Sequence, residues 1–391
     1  LKSWSYDYTI LLLCWLGWVS IYLSRSVLPP LLPILVEEMG ITHTQAGLFG
    51  TVFLLGYIII KVPAGLMARR FGIKKVLIAG MVGYGLATLL NFAAGCFSHL
   101  LILRFLLGLF QGIHLPLANT LLSRRFGRMQ GKVIGFHESG PNLGHTLALP
   151  LTVAIAATLS WRWAFLFLSL PAFALALAST RVLREEDKPL AGGEISGSLQ
   201  QLRGFLRLLV SMALAHSVYN LCLGTLFNFA PIYLVEFRGL SLKTAGLISM
   251  ILPSAGFLSK VSSGYIAKKL GRRDAICLAA AISGLLILSL AHLKGPYRLS
   301  LIFLLIGLTL YSFSPTIYAC VTSGLPLKLR ALGLGVVTMV GNLTGALSTF
   351  VVGLLIDLEG YDTALTAVAL TTLLAASSIY LMMRRRLERD G

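Results

Sequence analysis

The chain is a succession of long apolar runs separated by short polar breaks. A helix needs about 20 apolar residues to cross a hydrocarbon core ~30 Å thick. Twelve runs meet that length, near 9–36, 44–68, 75–97, 99–123, 131–157 and 162–182, then 207–235, 244–267, 275–293, 299–323, 331–356 and 363–383. The short alternating segments of a transmembrane barrel are absent. The only long polar stretch is 184–205. The pattern predicts an all-α polytopic membrane protein with twelve transmembrane helices in two pseudo-symmetric six-helix bundles, over 1–183 and 206–391, joined by a cytoplasmic linker over 184–205.

Composition sharpens this picture. Charged residues make up 12%, against about 25% in soluble proteins, which excludes a water-soluble enzyme. The net charge of +18 looks like a nucleic-acid signal until the charges are placed. Arg69, Arg70, Lys74 and Lys75 lie between spans 2 and 3; Arg124, Arg125, Arg128 and Lys132 between spans 4 and 5; Lys268, Lys269, Arg272 and Arg273 between spans 8 and 9. The C-terminal tail carries Arg384, Arg385 and Arg386, and Lys2 lies near the start. Most of the excess therefore falls on one face, as in an integral inner (plasma) membrane protein with both termini cytoplasmic. No basic domain stands apart for nucleic acid.

The five cysteines are widely spaced and suggest neither a disulfide framework nor a metal site. GRMQGKV (127–133) lacks the spacing and hydroxyl of a nucleotide loop, and no hydrolase motif is present. Neither an enzyme nor an ATP-driven pump is expected, and no cofactor.

The most specific feature is an internal repeat. LVEEMGITHTQAGL (35–48) matches LVEFRGLSLKTAGL (234–247) at seven of fourteen positions, an offset of 199. The same offset maps Lys61-Val62 onto Lys260-Val261, Gly65 onto Gly264, Gly72 onto Gly271, Gly108 onto Gly307 and Pro116 onto Pro315. One residue later in register, Asn142-Leu143 falls on Asn342-Leu343. Two parallel six-helix repeats of this kind place a substrate site at the midplane between them.

Charges inside the spans are few: Arg25, Lys61, Arg104 and Lys260 against one acid, Glu138. Each costs roughly 2.5–3.5 kcal/mol at a span centre and stays only where it meets a partner or a cavity. One glutamate cannot neutralise four cations, which favours a small anionic substrate. The alternatives are pairing of Arg25 or Arg104 with Glu138, and lysines snorkelling to the interface. Trp15, Trp18, Tyr22 and Arg25 share one helical face of span 1. Gln111 and His114 share a stripe with Arg104.

Glu138, Asn142 and His145 stand at i, i+4 and i+7, a polar face on span 5, with Pro141 and Gly144 allowing it to bend and approach closely. His137 is adjacent to that face. These residues, with Arg104, are the candidates for proton coupling: an arginine holds Glu138 ionised until the anion takes it, and Glu138 then binds a proton. His216, Tyr219 and Asn220 cluster on span 7, and Tyr311 and Tyr318 mark one face of span 10. They suit either a cavity lining or helix packing.

GLMARRFGIKK (65–75) resembles the loop signature between spans 2 and 3 of the major facilitator superfamily, with Gly65, Arg70 and Gly72 among its residues. GYIAKKLGRRD (264–274) is similar to its second copy, with Gly264 and Gly271. RFLLGLFQG (104–112) resembles the span-4 signature, with Arg104 as its arginine. The acid usual in the loop signature is Arg69 here and Lys268 in the second copy.

Lys61 and Lys260 match the positions of two anion-binding arginines in nitrate/nitrite porters of that superfamily. A lysine lacks the planar fork that suits a small flat anion, which points to a different anion. YLSRSVLPPLLPILVEE (22–38) resembles span 1 of the organic-anion and organophosphate branches, where the base at Arg25 binds carboxylate or phosphate. In related organic-anion symporters the Gln111 position often holds a proton-carrying glutamate; here it is an amide.

The resemblance implies a monomeric secondary transporter of a small anion, an organic carboxylate, working by alternating access with protons or a counter-anion. Substrate contacts would come from Arg25, Lys61, Lys260, Tyr22, Tyr219, Asn220, Tyr311, Tyr318, Asn142 and Asn342. A nitrate/nitrite or phosphate porter is a variant. The alternative is a proton-coupled efflux antiporter for amphipathic drugs or lipids.

Overall fold

The computed structural model describes residues 5–184 and 199–387; Lys2 and most of the expected linker lie outside the described residues. Among the described residues every regular element is helical. In chain order they are α1 (Tyr6–Arg25), α2 (Leu32–Met39), α3 (His43–Ile59), α4 (Lys61–Phe71), α5 (Ile73–Leu89), α6 (Phe97–Gln111), α7 (His114–Phe126), α8 (Gln130–His137), α9 (Gly140–Thr158) and α10 (Trp161–Val182). Then come α11 (Leu206–Ile232), α12 (Leu242–Leu270), α13 (Arg272–Leu290), α14 (Pro296–Leu310), α15 (Phe313–Gly324) and α16 (Leu327–Leu387).

Among the described residues nine stretches are long and apolar enough to cross a membrane, and α3 with α4 makes a tenth, bent by 41°. One of the nine, Lys328–Met383, holds two spans joined where Gly360 adopts φ 82°. The pair α8 and α9 occupies the position of the predicted fifth span. The twelve spans of the hydropathy pattern are thus accounted for, but several are broken rather than continuous.

Four of the breaks stand beside a proline, although Pro150, Pro171, Pro231 and Pro253 sit inside helices that continue through them. A proline ring clashes with the carbonyl four residues earlier and supplies no N–H. Pro63 acts on Ile59, the last residue of α3; Pro141 acts on His137, the last of α8. Pro116 acts on Gly112, between α6 and α7, and Pro315 on Tyr311, between α14 and α15. The repeat supplies the control. Pro116 and Pro315 are repeat mates, and both spans break. Pro63 has Ser262 as its mate, and α12 runs unbroken through that position. Pro141 falls on no proline in the second copy, and α16 is helical there.

Two compact units make up the chain: Leu1–Ile41 with Val52–Gly192, and Thr42–Thr51 with Gly193–Gly391. The division falls inside α3. Each unit uses the same close helix approach. In the first, a Cβ at Gly108 on α6 would overlap the carbonyl oxygen of Phe53 on α3. In the second, a Cβ at Gly307 on α14 would lie 2.6 Å from the carbonyl oxygen of Leu252 on α12. Phe53 and Leu252 are themselves repeat mates. Lipid tails offer no hydrophobic drive between helices, so such packing carries their association.

The loop-signature glycines divide in two. Gly72 and Gly271 need positive φ, 88° and 86°. At Gly65 and Gly264 a Cβ would meet nothing within 4 Å. Arg70 is exposed, its guanidinium 5.2 Å from the Phe71 ring.

Candidate functional site

In the first unit, α1 ends at Arg25. The Arg25 guanidinium lies over the Phe53 ring at 4.4 Å and the Tyr22 ring at 5.2 Å, and donates to the Tyr22 hydroxyl at 3.4 Å. The Lys61 ammonium sits over the Tyr57 ring at 4.6 Å. Arg25 is within electrostatic reach of both Lys61 and Arg104. None of these three cations has a carboxylate within ion-pair distance among the described residues. Ring faces attract cations but leave their charge uncompensated.

Arg104 is only 5% exposed. It donates through Nη1 to the Arg25 carbonyl at 3.1 Å, serving an oxygen that the end of α1 leaves open. Its Nε and Nη2 are buried and meet no acceptor among the described residues. Gln111 donates to the Ile21 carbonyl and the Ser24 hydroxyl, both at 3.1 Å. His114 Nε2 lies 3.1 Å from the Cys14 carbonyl. Arg104, Gln111 and His114 thus all reach the backbone of α1, even though the helix is interrupted between Gln111 and His114. Gly17 leaves the space for His114, since a Cβ there would lie 2.7 Å from its ring.

Span 5 is interrupted at its expected polar face. Glu138 falls in the break between α8 and α9, where Glu138 and Ser139 keep right-handed helical torsions. Glu138 is within electrostatic reach of Tyr22, the ring that His145 packs against. The Glu138 side chain is 42% exposed, not buried, and lies 3.9 Å from His137 Nδ1. Among the described residues neither Arg25 nor Arg104 forms an ion pair with it.

His137 is fully buried, stacked on Trp18, with Nε2 3.4 Å from His114 Nε2. Asn142 is 3% exposed. His145 Nδ1 meets the Ser26 hydroxyl at 3.2 Å, and its ring packs on Tyr22 at 4.7 Å. Gly144 permits the approach: a Cβ there would lie 2.5 Å from the Val19 carbonyl. Trp15 donates to Ser139 at 3.0 Å and stacks on Phe136, so the tryptophans of α1 serve packing.

The second unit carries an aromatic string. His216 stacks on Tyr219 at 5.7 Å and meets Tyr318 at 5.9 Å, and Tyr219 meets Tyr311 edge-on at 6.5 Å. The Lys260 ammonium lies 5.6 Å from the Tyr311 ring centre. Asn220 donates to the His216 carbonyl at 2.9 Å and packs on Gly345, which commits it to the approach of α11 and α16. Asn342 is half-buried on α16.

The two lysines share a device that their sequence positions do not reveal. Tyr57 of span 2 has Gly256 as repeat mate, whereas Tyr311 of span 10 has Gly112. Each unit therefore puts a tyrosine ring by its lysine, from the lysine's own span in one and from the neighbouring span in the other. Tyr57 stands four residues before Lys61, a helical neighbour that periodicity could have found. No local signal points to Tyr311 for Lys260.

The profile of the Major Facilitator Superfamily matches residues 14–349. The chain is 26% identical over 281 residues to the hexuronate transporter of Bacillus subtilis, covering 68% of this chain and 67% of that protein. It is 26% identical over 420 residues to the D-galactonate transporter of Escherichia coli, covering 98% and 97%. It is 23% identical to the multidrug resistance protein MdtG of Enterobacter lignolyticus, covering 78% and 75%. Among solved structures, a bacterial homologue of the human lysosomal transporter Spinster, inward-facing and unoccupied, superposes with a TM-score of 0.87 at 16% identity, covering 99% of each chain. A D-xylose–proton symporter superposes with a TM-score of 0.81 at 17% identity, covering 96% of this chain and 98% of that one. With the profile running through both units and the fold shared along nearly its whole length, the chain is an integral membrane protein that belongs to the Major Facilitator Superfamily.

Proposed function

We propose that the protein is a secondary active transporter of a small organic anion, a carboxylate, working by alternating access with protons or a counter-anion. The observation that carries this reading is the group of Arg25, Lys61 and Arg104, three cations without a carboxylate partner among the described residues. Mutual repulsion and lost hydration make such a group costly unless an anion completes it. The similarity to hexuronate and D-galactonate transporters supports a carboxylate, since both of those solutes are sugar acids. As proposed contacts, the first unit offers Arg25 and Lys61 with Tyr22 and Tyr57, and the second offers Lys260 with Tyr219, Tyr311 and Tyr318.

Lys61→Ala and Lys260→Ala should each weaken anion binding by about 1.5–3 kcal/mol, the worth of hydrogen bonds to charged groups. That is roughly a ten- to hundredfold rise in Kd. Calorimetric titration of purified protein with hexuronate and galactonate, with nitrate and phosphate in parallel, measures it. Unchanged affinity in both variants would mean that the lysines only snorkel, and would remove the central support of the anion reading.

The second reading, an efflux antiporter for amphipathic drugs or lipids, is favoured by the similarity to MdtG. It predicts binding of lipophilic compounds, and of none of the anions, in the same titration. The proposed topology has both termini cytoplasmic. Cysteines introduced at Lys74 and Arg272 should then react with an impermeant thiol reagent only in inverted vesicles; labelling from outside intact cells would reverse the orientation.

A further inference from the structure

His43 opens α3, and both nitrogens of its ring meet carboxylates. Nδ1 lies 2.7 Å from Asp357 Oδ1, and Nε2 lies 2.9 Å from Glu236 Oε2. An ionised carboxylate only accepts hydrogen bonds. With both carboxylates ionised, both ring nitrogens donate and the ring is an imidazolium. The rest of the cluster is satisfied around that charge. The Tyr361 hydroxyl donates to the same Glu236 oxygen at 3.0 Å, with its ring edge-on to His43 at 5.3 Å. Asp357 also accepts the backbone N–H of His43 at 2.9 Å, and the N–H and hydroxyl of Thr44 at 2.7 and 2.6 Å. It thus caps the first turn of α3, where a negative charge is favoured. Arg238 and Asp362 are the next charged groups: both act on Tyr233, and Arg238 donates to the Tyr233 hydroxyl at 2.8 Å and to the Leu290 carbonyl.

We propose that His43 is a proton-binding site whose occupancy fastens the first turns of α3 to Glu236 and Asp357. Without the proton, one N–H remains for two carboxylates. The other carboxylate then faces a nitrogen lone pair, so a charge-assisted bond is replaced by repulsion. The side chains of His43, Glu236 and Asp357 are 20%, 29% and 24% exposed, so the proton can exchange with solvent while the core stays closed.

The consequence for transport comes from where this site lies. Residues 43–51 of α3 belong to the second unit and the helix from Val52 onward to the first. On the alternating-access reading proposed above, one repeat rocks against the other, and the clasp makes the hold on the first turns of α3 sensitive to protonation. It exists in one copy: Glu236 has Glu37 as repeat mate, but His43 has Leu242. This inference does not depend on which solute is carried.

The test uses the purified full-length chain in nanodiscs. Ring-15N histidine spectra, with the His43 signal assigned by its loss in His43→Gln, should show two protonated ring nitrogens at pH 7.5 and one at a higher pH. Nitroxides on Thr42→Cys and Leu358→Cys, in a cysteine-free background, report the clasp by dipolar broadening. The broadening should fall as pH rises, with the same midpoint as the His43 signal. In His43→Gln, which keeps a hydrogen-bonding side chain but cannot titrate, the broadening should be weak at every pH. In Asp357→Asn, which leaves His43 one carboxylate, the midpoint should move to lower pH. A singly protonated His43 at pH 6.5–7.5 would overturn the proposal. So would a pH curve in His43→Gln or Asp357→Asn that matches the unsubstituted protein.

Discussion

Glu138→Gln should abolish accumulation driven by a pH gradient while leaving substrate binding and counterflow exchange in place. Glu138 lies at the break between α8 and α9, half-exposed, beside the buried His137. His137 in turn meets His114. Three titratable groups therefore run from a solvated carboxyl into the interior of the first unit. As the proposed carrier, Glu138 would take up and release a proton, which an amide cannot do.

The scheme expected from sequence, in which the anion draws an arginine away from Glu138, lacks its ion pair here. A gradient of one pH unit is worth about 1.4 kcal/mol per proton, a tenfold concentration ratio for one-to-one symport. Proteoliposomes with an imposed gradient should show that ratio with the unsubstituted protein and a ratio near one with Glu138→Gln. Full accumulation by the variant would remove Glu138 from the mechanism and leave His137 and His145 as the candidates. If the protein exchanges anions without protons, neither protein responds to the gradient.

Gly108→Val should prevent the first unit from folding, and Gly307→Val should do the same to the second. Overpacking a core usually costs about 1–3 kcal/mol because side chains can shift. Here the obstruction is backbone: the carbonyl of Phe53 in one unit and that of Leu252 in the other. Neither can move without displacing a helix, so the cost should exceed that range. Gly65→Ala and Gly264→Ala are the controls, since a Cβ at either meets open space. Detergent-solubilised protein examined by size-exclusion chromatography should give a monodisperse peak for the two alanine variants and aggregate or loss for the two valines. A monodisperse Gly108→Val with unchanged thermal midpoint would show that the α3–α6 approach is looser than its geometry.

Much of this molecule was legible in one dimension. The number of spans, the repeat and the inventory of intramembrane charges all rest on local rules. Hydropathy counts residues against a fixed membrane thickness. The offset of 199 pairs Gly108 with Gly307, and their contacts with Phe53 and Leu252 carry the same offset. Four helix breaks stand beside prolines, whose ring meets a carbonyl only four residues away, but Pro150, Pro171, Pro231 and Pro253 leave their helices continuous. Exposure at such a break is not a local property: Glu138, expected to be buried on a polar stripe, is half-exposed.

Sequence by itself determined that the chain is a twelve-span repeat protein with unneutralised cations inside it, since length, apolarity and offset are properties of the string. Tertiary structure alone decided which group each of those cations meets. A tyrosine by each lysine, supplied from different spans in the two units, follows from which helices are neighbours. The bond from Arg104 to the Arg25 carbonyl and the clasp of His43 on Asp357, 314 residues away, depend on the rotation and register of packed helices. Those are set by close approach at small residues and by bends, and periodicity along a single helix carries no record of them.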